Sequence, residues 1–580
     1  MRLFRRFHVL KTTREAPDRF AAFRRVQAWL VAIALLLVVL FEGYRLPGAE
    51  IARIFLRYYV VIVAIGAMAD IVLSWLAAPP ADRLLSRRWF DVVLFVLLAL
   101  AVGFHRLMLP LVVLRQLVVI SGNLSRPGIL AGAIGYLRQR VVQSLALSFA
   151  ALIAVGTLLL TFPAATADGR GTPFLDALFT ATSATCVTGL IVRDTPSYFS
   201  VFGQLVILGL IQLGALGIMT FSTGIAVILG HRLGPGERRA VSEMVEETRD
   251  IDIARAVRYI LLFTLLAEAL GTLILFLRFL PRFPTALSAF YYALFHSISA
   301  FCNAGFSLFS DSLVRYQADV VVNLAVIGLI LVGGIGFTVV HEIVNRGTFR
   351  RGLRQTVRSL TTHSRIVLVT SGILIAVGTV VFFFFEFDHS LAGMPLGTRL
   401  LASLFQSVTP RTAGFNTVPL NALHPATLFV FVILMFVGAS PGGTGGGIKT
   451  STFAVLLLAV RTRLAGQNEV VAGRRFIPRD VVYRATAIVV TAAAAIAIVF
   501  TFLLATQTFR FQDILFETVS AFGTVGLSTG LTPDLSGVGR LAIITLMYVG
   551  RLGPLTLTLA MAARQSRPLI SYPNARIMVG

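Results

Sequence analysis

Apolar runs of about 20 residues, each long enough to cross a bilayer as a helix, recur along the whole of this chain. Short polar or glycine-bearing stretches separate them. Backbone groups in hydrocarbon must bond to one another, so the pattern predicts an all-α polytopic membrane protein. Behind a basic segment, 1–26, apolar runs near 27–42, 54–77, 89–104 and 106–121 predict an N-terminal bundle of about four membrane helices within residues 1–140. From 141 the pattern changes to an apolar run, a short amphipathic stretch with a glycine loop, and a second apolar run. It predicts four units of helix, re-entrant loop and helix over 141–232, 258–345, 366–460 and 483–563, then a basic tail, 564–580.

The glycine loops share a form. Ser183-Ala184-Thr185-Cys186-Val187-Thr188-Gly189-Leu190 returns as Ser299-Ala300-Phe301-Cys302-Asn303-Ala304-Gly305-Phe306, as Thr409-Pro410-Arg411-Thr412-Ala413-Gly414-Phe415, and as Ser520-Ala521-Phe522-Gly523-Thr524-Val525-Gly526-Leu527. Their last glycines are 305−189 = 116, 414−305 = 109 and 526−414 = 112 residues apart. So regular a period marks an internal repeat. Phe179, Phe295, Phe405 and Phe516 each precede a hydroxyl residue by four positions: Ser183, Ser299, Thr409 and Ser520. The glycine follows that hydroxyl by six residues, except in the third copy, where it follows by five.

Composition agrees: 56% of residues are hydrophobic and 13% charged, with mean hydropathy +0.84, whereas soluble domains carry about 25% charged residues. The formal charge of +24 could suggest nucleic acid. The arginines instead crowd into alternate loops, around 232–258, 346–365 and 461–479, as the positive-inside bias of membrane insertion requires. The partner implied is the lipid bilayer and not nucleic acid, and both termini are expected in the cytosol of a cell-membrane protein. The first residues are too basic for a cleavable signal peptide. The sequon Asn123-Leu124-Ser125 falls on the cytosolic side and is set aside. Cys186 and Cys302, the only cysteines, occupy one repeat position, where small residues pack at a helix end. The fourth N-terminal segment has only Arg106 and Arg115, too few for a voltage sensor.

Irregular backbone at membrane depth is tolerated where it lines a water-filled path. Short helices aiming their carboxyl ends at a common axis favour a cation there, and loop carbonyls can replace its water. Glycine permits the positive φ that turns carbonyls inward. No carboxylate stands beside these glycines, which disfavours a divalent ion. That favours a monovalent cation, whose candidate ligands are the carbonyls of Val187, Thr188 and Gly189, of Asn303, Ala304 and Gly305, of Thr412, Ala413 and Gly414, and of Thr524, Val525 and Gly526.

On these four loops the chain resembles the Trk/Ktr/HKT superfamily of potassium transporters, most closely the Ktr-type membrane subunit, over about 141–570. The resemblance implies four pore-loop repeats around one pore, a homodimer, and a cytosolic ring of nucleotide-binding regulatory subunits. It implies K+ as the transported ion, leaves Na+ open as a coupling or regulatory ion, and implies no enzyme activity. The N-terminal four segments depart from the Ktr-type pattern.

The second helices of the repeats align through Gly214-Ala215-Leu216-Gly217, Gly333-Gly334-Ile335-Gly336, Gly438-Ala439-Ser440-Pro441 and Gly550-Arg551-Leu552-Gly553. Close packing through small residues suffices for the first two. The third continues as Gly442-Gly443-Thr444-Gly445-Gly446-Gly447-Ile448-Lys449-Thr450, and no helix survives that density of glycine beside proline. The run 442–450 imitates a phosphate-binding loop, but Ile448 is one residue too many and no strand precedes it, so no nucleotide is expected on this chain. The resemblance implies that 438–450 is an intramembrane gating loop, with Gly438, Gly442, Gly443, Gly445, Gly446, Gly447, Lys449 and Arg551 as gate residues. Lys449 is one of two lysines, the other being Lys11. It points to a compact, hydrated charge, with chance the rival at so small a count. Arg551, in a span expected over 538–563, is too deep to snorkel and should face the pore. The rival functions are a potassium-binding subunit of an ATP-driven pump and a non-conducting receptor or scaffold.

Overall fold

The structure is a computed structural model that describes residues 26–27, 29–31, 33, 37, 50–76, 94–98, 141–232, 253–345, 360–473 and 475–553. The expected segment at 106–121, most of the stretch 233–257 and the tail 564–580 lie outside the described residues, as do most of 27–42 and 89–104. The chain divides into two units, residues 1–139 with 162–171, and residues 140–161 with 172–580.

In the first unit, helix α1 (Glu50–Leu76) buries Val60, Val63, Ala64, Ala67 and Ile71 in a cluster with Val31, Leu94 and Leu98. The Gln27 amide donates to the Val63 carbonyl at 2.7 Å, satisfying a buried polar group inside that apolar contact.

The second unit is helical except for one short hairpin among the described residues. Its elements come in four sets. The first is α2 (Val141–Leu160), short helix α3 (Phe174–Thr185) and α4 (Val201–Arg232). The second is α5 (Ile253–Phe279), short α6 (Ala286–Phe301), α7 (Val320–Ile335) and α8 (Phe337–Asn345). The third is α9 (Thr362–Glu386), short α10 (Leu396–Val408), α11 (Pro425–Phe436) and α12 (Thr450–Leu464). The fourth is α13 (Arg479–Thr506), short α14 (Phe511–Gly523) and α15 (Gly537–Leu552). A hairpin, β1 (Val471–Ala472) with β2 (Arg475–Phe476), pairs Val471 with Phe476 antiparallel; the sequence reading had only a basic loop there.

Local chemistry sets the helix starts. Thr285 accepts from the Ser288 N–H ahead of α6, Asp319 from Val322 ahead of α7, and Ser536 from Gly539 ahead of α15, each satisfying a first-turn donor. Among the described residues, segments of α4, α5, α9 and α13 are long and apolar enough to cross a membrane. By contrast α11 has 12 residues, about 18 Å at 1.5 Å per residue, too short to span about 30 Å of hydrocarbon.

The sets join in a cycle. The second helix of each packs on the short helix of the next: α4 on α6, α7 on α10, α11 on α14, and α15 back on α3. Phe179, Phe295, Phe405 and Phe516 are fully buried at the centre of this arrangement. Lipid tails are as apolar as these side chains, so it is close packing more than exclusion from water that holds them.

Candidate functional site

The four glycine loops leave the carboxyl ends of α3, α6, α10 and α14 and meet in the middle of the second unit. In each, the residue before the glycine donates its N–H to the carbonyl of the hydroxyl residue: Thr188 to Ser183 at 2.7 Å, Ala304 to Ser299 at 2.8 Å, Ala413 to Thr409 at 3.0 Å and Val525 to Ser520 at 2.9 Å. The third bond spans four residues where the others span five. That turn absorbs the residue missing from the third motif. The hydroxyls add bonds of their own: Ser183 Oγ accepts from the Gly189 N–H at 3.1 Å, Ser299 donates to the Phe306 carbonyl at 2.7 Å and Thr409 to that of Phe415 at 2.5 Å.

Val187, Asn303, Thr412 and Thr524 all have positive φ, from 50° to 70°, two residues before the glycine. Apart from Ser312, no other non-glycine residue among those described does so. Left-handed backbone at Val187, a β-branched residue, is a true outlier, and such strain persists only where surroundings impose it. The glycines follow with φ of 96°, 69°, 77° and 88°.

Neighbouring loops touch backbone to backbone. A Cβ on Gly189 would collide with the Ala304 carbonyl, one on Gly414 would come within 2.6 Å of the Val525 carbonyl, and one on Gly526 would collide with the Thr188 carbonyl. A Cβ on Gly305 would stand 3.0 Å from the Ala413 carbonyl. Each glycine thus abuts the carbonyl before the next glycine, and the contacts close from the first loop through the fourth and back. Only a residue without a side chain fits at these four places.

The second helices reach this ring through their own glycines. A Cβ on Gly214, Gly333 or Gly550 would run into the carbonyl of Thr185, Phe301 or Phe522, in each case the residue four before the ring glycine. Gly438 departs from this: a Cβ there would run into the Gly446 carbonyl, because the chain has folded back on itself.

That fold is the stretch 437–449. Helix α11 stops at Phe436, and α12 starts at Thr450. Between them Gly438 N–H donates to Ile448 at 2.8 Å and Ala439 N–H to Gly446 at 3.3 Å. The loop then bonds outward. Ser440 N–H donates to Gly334 at 2.9 Å and Thr444 N–H to Gly333 at 3.1 Å. Gly446 N–H donates to Thr524 Oγ1 at 3.0 Å, and a Cβ on Gly445 would collide with Thr412 Oγ1. The Arg551 guanidinium, buried, donates from Nη1 to the Thr444 carbonyl and from Nη2 to the Gly214 carbonyl at 3.1 Å. Lys449 Nζ donates to the Gly445 carbonyl at 2.6 Å. So the left-handed residues of loops three and four, the second helix of the second set and a cation from the fourth all lie against one glycine-rich segment.

One expectation changes. The second helix of the second set is not merely closely packed. α7 and α8 are bent by 102° at Gly336, where φ is 98°. A side chain there would collide with the Pro441 carbonyl, and Phe337 N–H donates to Gly442 at 3.2 Å; the intruding loop takes the space a straight helix would need. Arg551 lies in the last turn of α15, which ends at Leu552 with Gly553 at φ 84°, and residues 554–580 lie outside the described ones. Cys186 and Cys302 are free and buried, and Cys302 Sγ lies 3.4 Å from Gln212 Oε1.

Sequence reading missed three buried polar groups near the ring. Glu268 on α5 is buried, and the Gln212 amide donates to its Oε2 at 3.2 Å. Arg411 sits in the third loop with Nη2 donating to Ser371 at 2.9 Å. Glu517 on α14 accepts from Thr532 Oγ1. The signal for Glu268 was a lone acid inside an apolar run; Glu517 shares its short helix with Asp513.

The four loops thus close a cyclic arrangement of backbone carbonyls and glycines at the carboxyl ends of four short helices. Residues 140–569 match the family described as TrkH: cation transport protein, and the chain belongs to it. It is 39% identical to Ktr system potassium uptake protein B of Bacillus subtilis over 449 residues, 77% of this chain and 98% of that protein. It is likewise 39% identical to the Ktr system potassium uptake protein B of Vibrio alginolyticus, over 75% of this chain and 94% of that one. It is 35% identical to the potassium/sodium uptake protein NtpJ of Enterococcus hirae, over 76% of this chain and 98% of that one. The fold resembles the crystal structure of the potassium transporter TrkH from Vibrio parahaemolyticus, with a TM-score of 0.58 at 17% identity, covering 92% of this chain and 98% of that one.

Proposed function

We propose that this chain is the potassium-translocating membrane subunit of a Ktr-type uptake system, with the ring of loops as its selectivity filter and the stretch 438–450 as its gate. One observation carries the reading. Four loops in equal register place a left-handed residue, a carbonyl and a glycine around one centre, and no loop contributes a carboxylate. Carbonyl dipoles with helix carboxyl ends behind them suit a monovalent cation stripped of water. The relatives named for potassium uptake point to K+. The one named for potassium and sodium leaves Na+ as a coupling or regulatory ion.

In this reading the pore repeats are 141–232, 258–345, 366–460 and 483–563, residues 1–140 are an accessory membrane module, and the tail 564–580 is cytosolic. Two copies form a homodimer, and a cytosolic ring of nucleotide-binding subunits acts on the helix ending near Arg461. The gate is closed when Arg551 holds the loop by its Thr444 carbonyl. Its positive charge there also repels a permeant cation, an effect that low dielectric magnifies.

Potassium uptake by cells lacking their own transporters, measured with and without a nucleotide-binding partner, tests this. Growth at low potassium that this chain supports, and the partner enhances, is the expected result. Uptake that requires an ATPase partner, or none under any condition, overturns it.

A further inference from the structure

Three residues before the ring hydroxyl, each short helix carries a second polar side chain: Thr180, His296, Gln406 and Glu517. All four are buried, and the ring carbonyls do not involve them. A polar group buried in this way costs free energy unless it is hydrogen-bonded, so its partners are informative.

In three sets the partners lie in the segment that leaves the ring. His296 Nδ1 meets the Tyr292 carbonyl at 2.7 Å, which assigns its proton there. Nε2 then accepts from the Leu308 N–H at 3.4 Å and faces Ser307 Oγ at 3.0 Å. Gln406, its amide oxygen turned towards the backbone, accepts from the N–H groups of Thr417 at 3.0 Å and Val418 at 3.2 Å. Glu517 accepts from the Thr532 hydroxyl, which also lies 3.1 Å from Ser528 Oγ. The first set differs: Thr180 Oγ1 has no partner among the described residues. One turn earlier, Asp176 instead holds Arg193 at 2.8 Å and Arg540, from the fourth set, at 2.5 Å.

Glu517 stands out chemically. No cation contacts its carboxyl among the described residues, its Oε2 has no hydrogen-bond partner among them, and Asp513 lies one turn away on the same helix. A carboxyl group buried in that setting is costly without a hydrogen bond, and the Thr532 hydroxyl supplies one. Its loop also has an exacting position. Gly526 abuts the Thr188 carbonyl of the first loop, the loop whose short helix has no partner for Thr180 Oγ1 among the described residues.

We propose that Glu517 is a positioning residue for ion selection: a buried carboxyl group that ties the segment leaving the fourth loop to α14 and so fixes the carbonyls of Thr524, Val525 and Gly526 against the first loop. This rests on reading the ring as a potassium filter. Slack at Thr532 would let the fourth loop's carbonyls shift relative to Thr188, and selection by carbonyl spacing would fall.

The test uses the full chain in proteoliposomes, reading potassium flux and the potassium-to-sodium ratio separately. Thr532→Val removes the partner hydroxyl with little change in volume, and Glu517→Gln keeps an acceptor without an acidic proton. Thr532→Val is expected to lower the ratio about tenfold, the effect of about 1.4 kcal/mol, while potassium flux persists. Glu517→Gln should keep the wild-type ratio, and Glu517→Ala should match Thr532→Val. An unchanged ratio in folded Thr532→Val overturns the proposal. So does loss of fold in that variant, since it would make the contact simply structural. If the wild-type protein itself carries no potassium, it is the filter reading that fails.

Discussion

The first and third sets carry loops in the same register, yet their second helices differ. α4 runs unbroken from Val201 to Arg232, and Gly214 lets it lie against the Thr185 carbonyl. In the third set the helix stops at Phe436, thirteen residues (437–449) fold back, and helix resumes at Thr450. The shared part is what a cyclic carbonyl ring needs from every member. The part that differs occurs once, and its loop reaches the second set at Gly333 and Gly334 and the fourth at Thr524 and Arg551. The second set is intermediate: its helix bends at Gly336 because the third set's loop takes up the space. The sets are most alike at the ring of glycines, and the third departs from the others over 437–449.

The comparison is broken most severely on the α4 side. Gly214→Ala places a methyl group into a backbone carbonyl that no rotamer change can relieve. We expect a loss of at least about 1–3 kcal/mol, the range for overpacking, seen as loss of a monodisperse peak in gel filtration. Gly217→Ala on the same helix meets only the Phe149 ring at 3.5 Å and should behave as wild type. Equal tolerance of both would show that α4 is not held as closely as described.

Next comes the loop itself. Arg551→Met removes the donors to Thr444 and Gly214 and the charge beneath the ring. As a gate it should raise potassium flux severalfold in the absence of any partner, even though losing a charged hydrogen bond costs about 1.5–3 kcal/mol. A stable protein with reduced flux would end the gating idea. Shortening 442–447 should act in the same direction.

Gly189→Ser tests the shared part. At φ 96°, with the Ala304 carbonyl in the way, a side chain strains the backbone by about 1–3 kcal/mol and must displace a ring carbonyl. The preference for potassium over sodium should fall severalfold, read from competitive uptake; an unaltered ratio would remove Gly189 from the filter.

The smallest effect is at the N-terminal end of α7. Asp319 caps that helix and accepts from Arg278 at 2.8 Å and Arg282 at 2.9 Å. Burial alone would raise its pKa, but the bonds from Arg278 and Val322 and the two guanidinium charges outweigh burial, and the carboxyl is held below its usual range. A depressed carboxyl contributes stability above its unfolded pKa, about 3.9, and loses it as pH falls through the lower folded value. Both arginines are about 40% exposed, so Asp319→Asn should cost under about 1 kcal/mol at neutral pH. The difference from wild type should vanish in melting curves taken below the folded pKa.

Much of the fold was legible because its signals are local. Hydropathy marked the spans, the period of the loops marked the sets, and glycine density marked the break between Phe436 and Thr450. Helices start a few residues before the expected 258 and 366, at Ile253 and Thr362; at the second of these Thr361 sets the start by accepting from the Ser364 N–H. The bend at Gly336 was not legible. Gly333-Gly334-Ile335-Gly336 reads as a packing stripe, and only the Pro441 carbonyl from another set makes a straight helix impossible there.

By itself the sequence determined where backbone could be irregular, since glycine and hydroxyl residues at fixed register act on their own few residues. Only the tertiary structure decided which groups meet. Thr412 and Thr524 against the 437–449 loop, Arg551 on the Thr444 carbonyl, and Glu517 under Thr532 are pairings made when four sets close into a cycle. Contacts of that kind join residues from 15 to 107 positions apart. No periodicity in the chain encodes such distances, because packing, and not spacing, selects the partner.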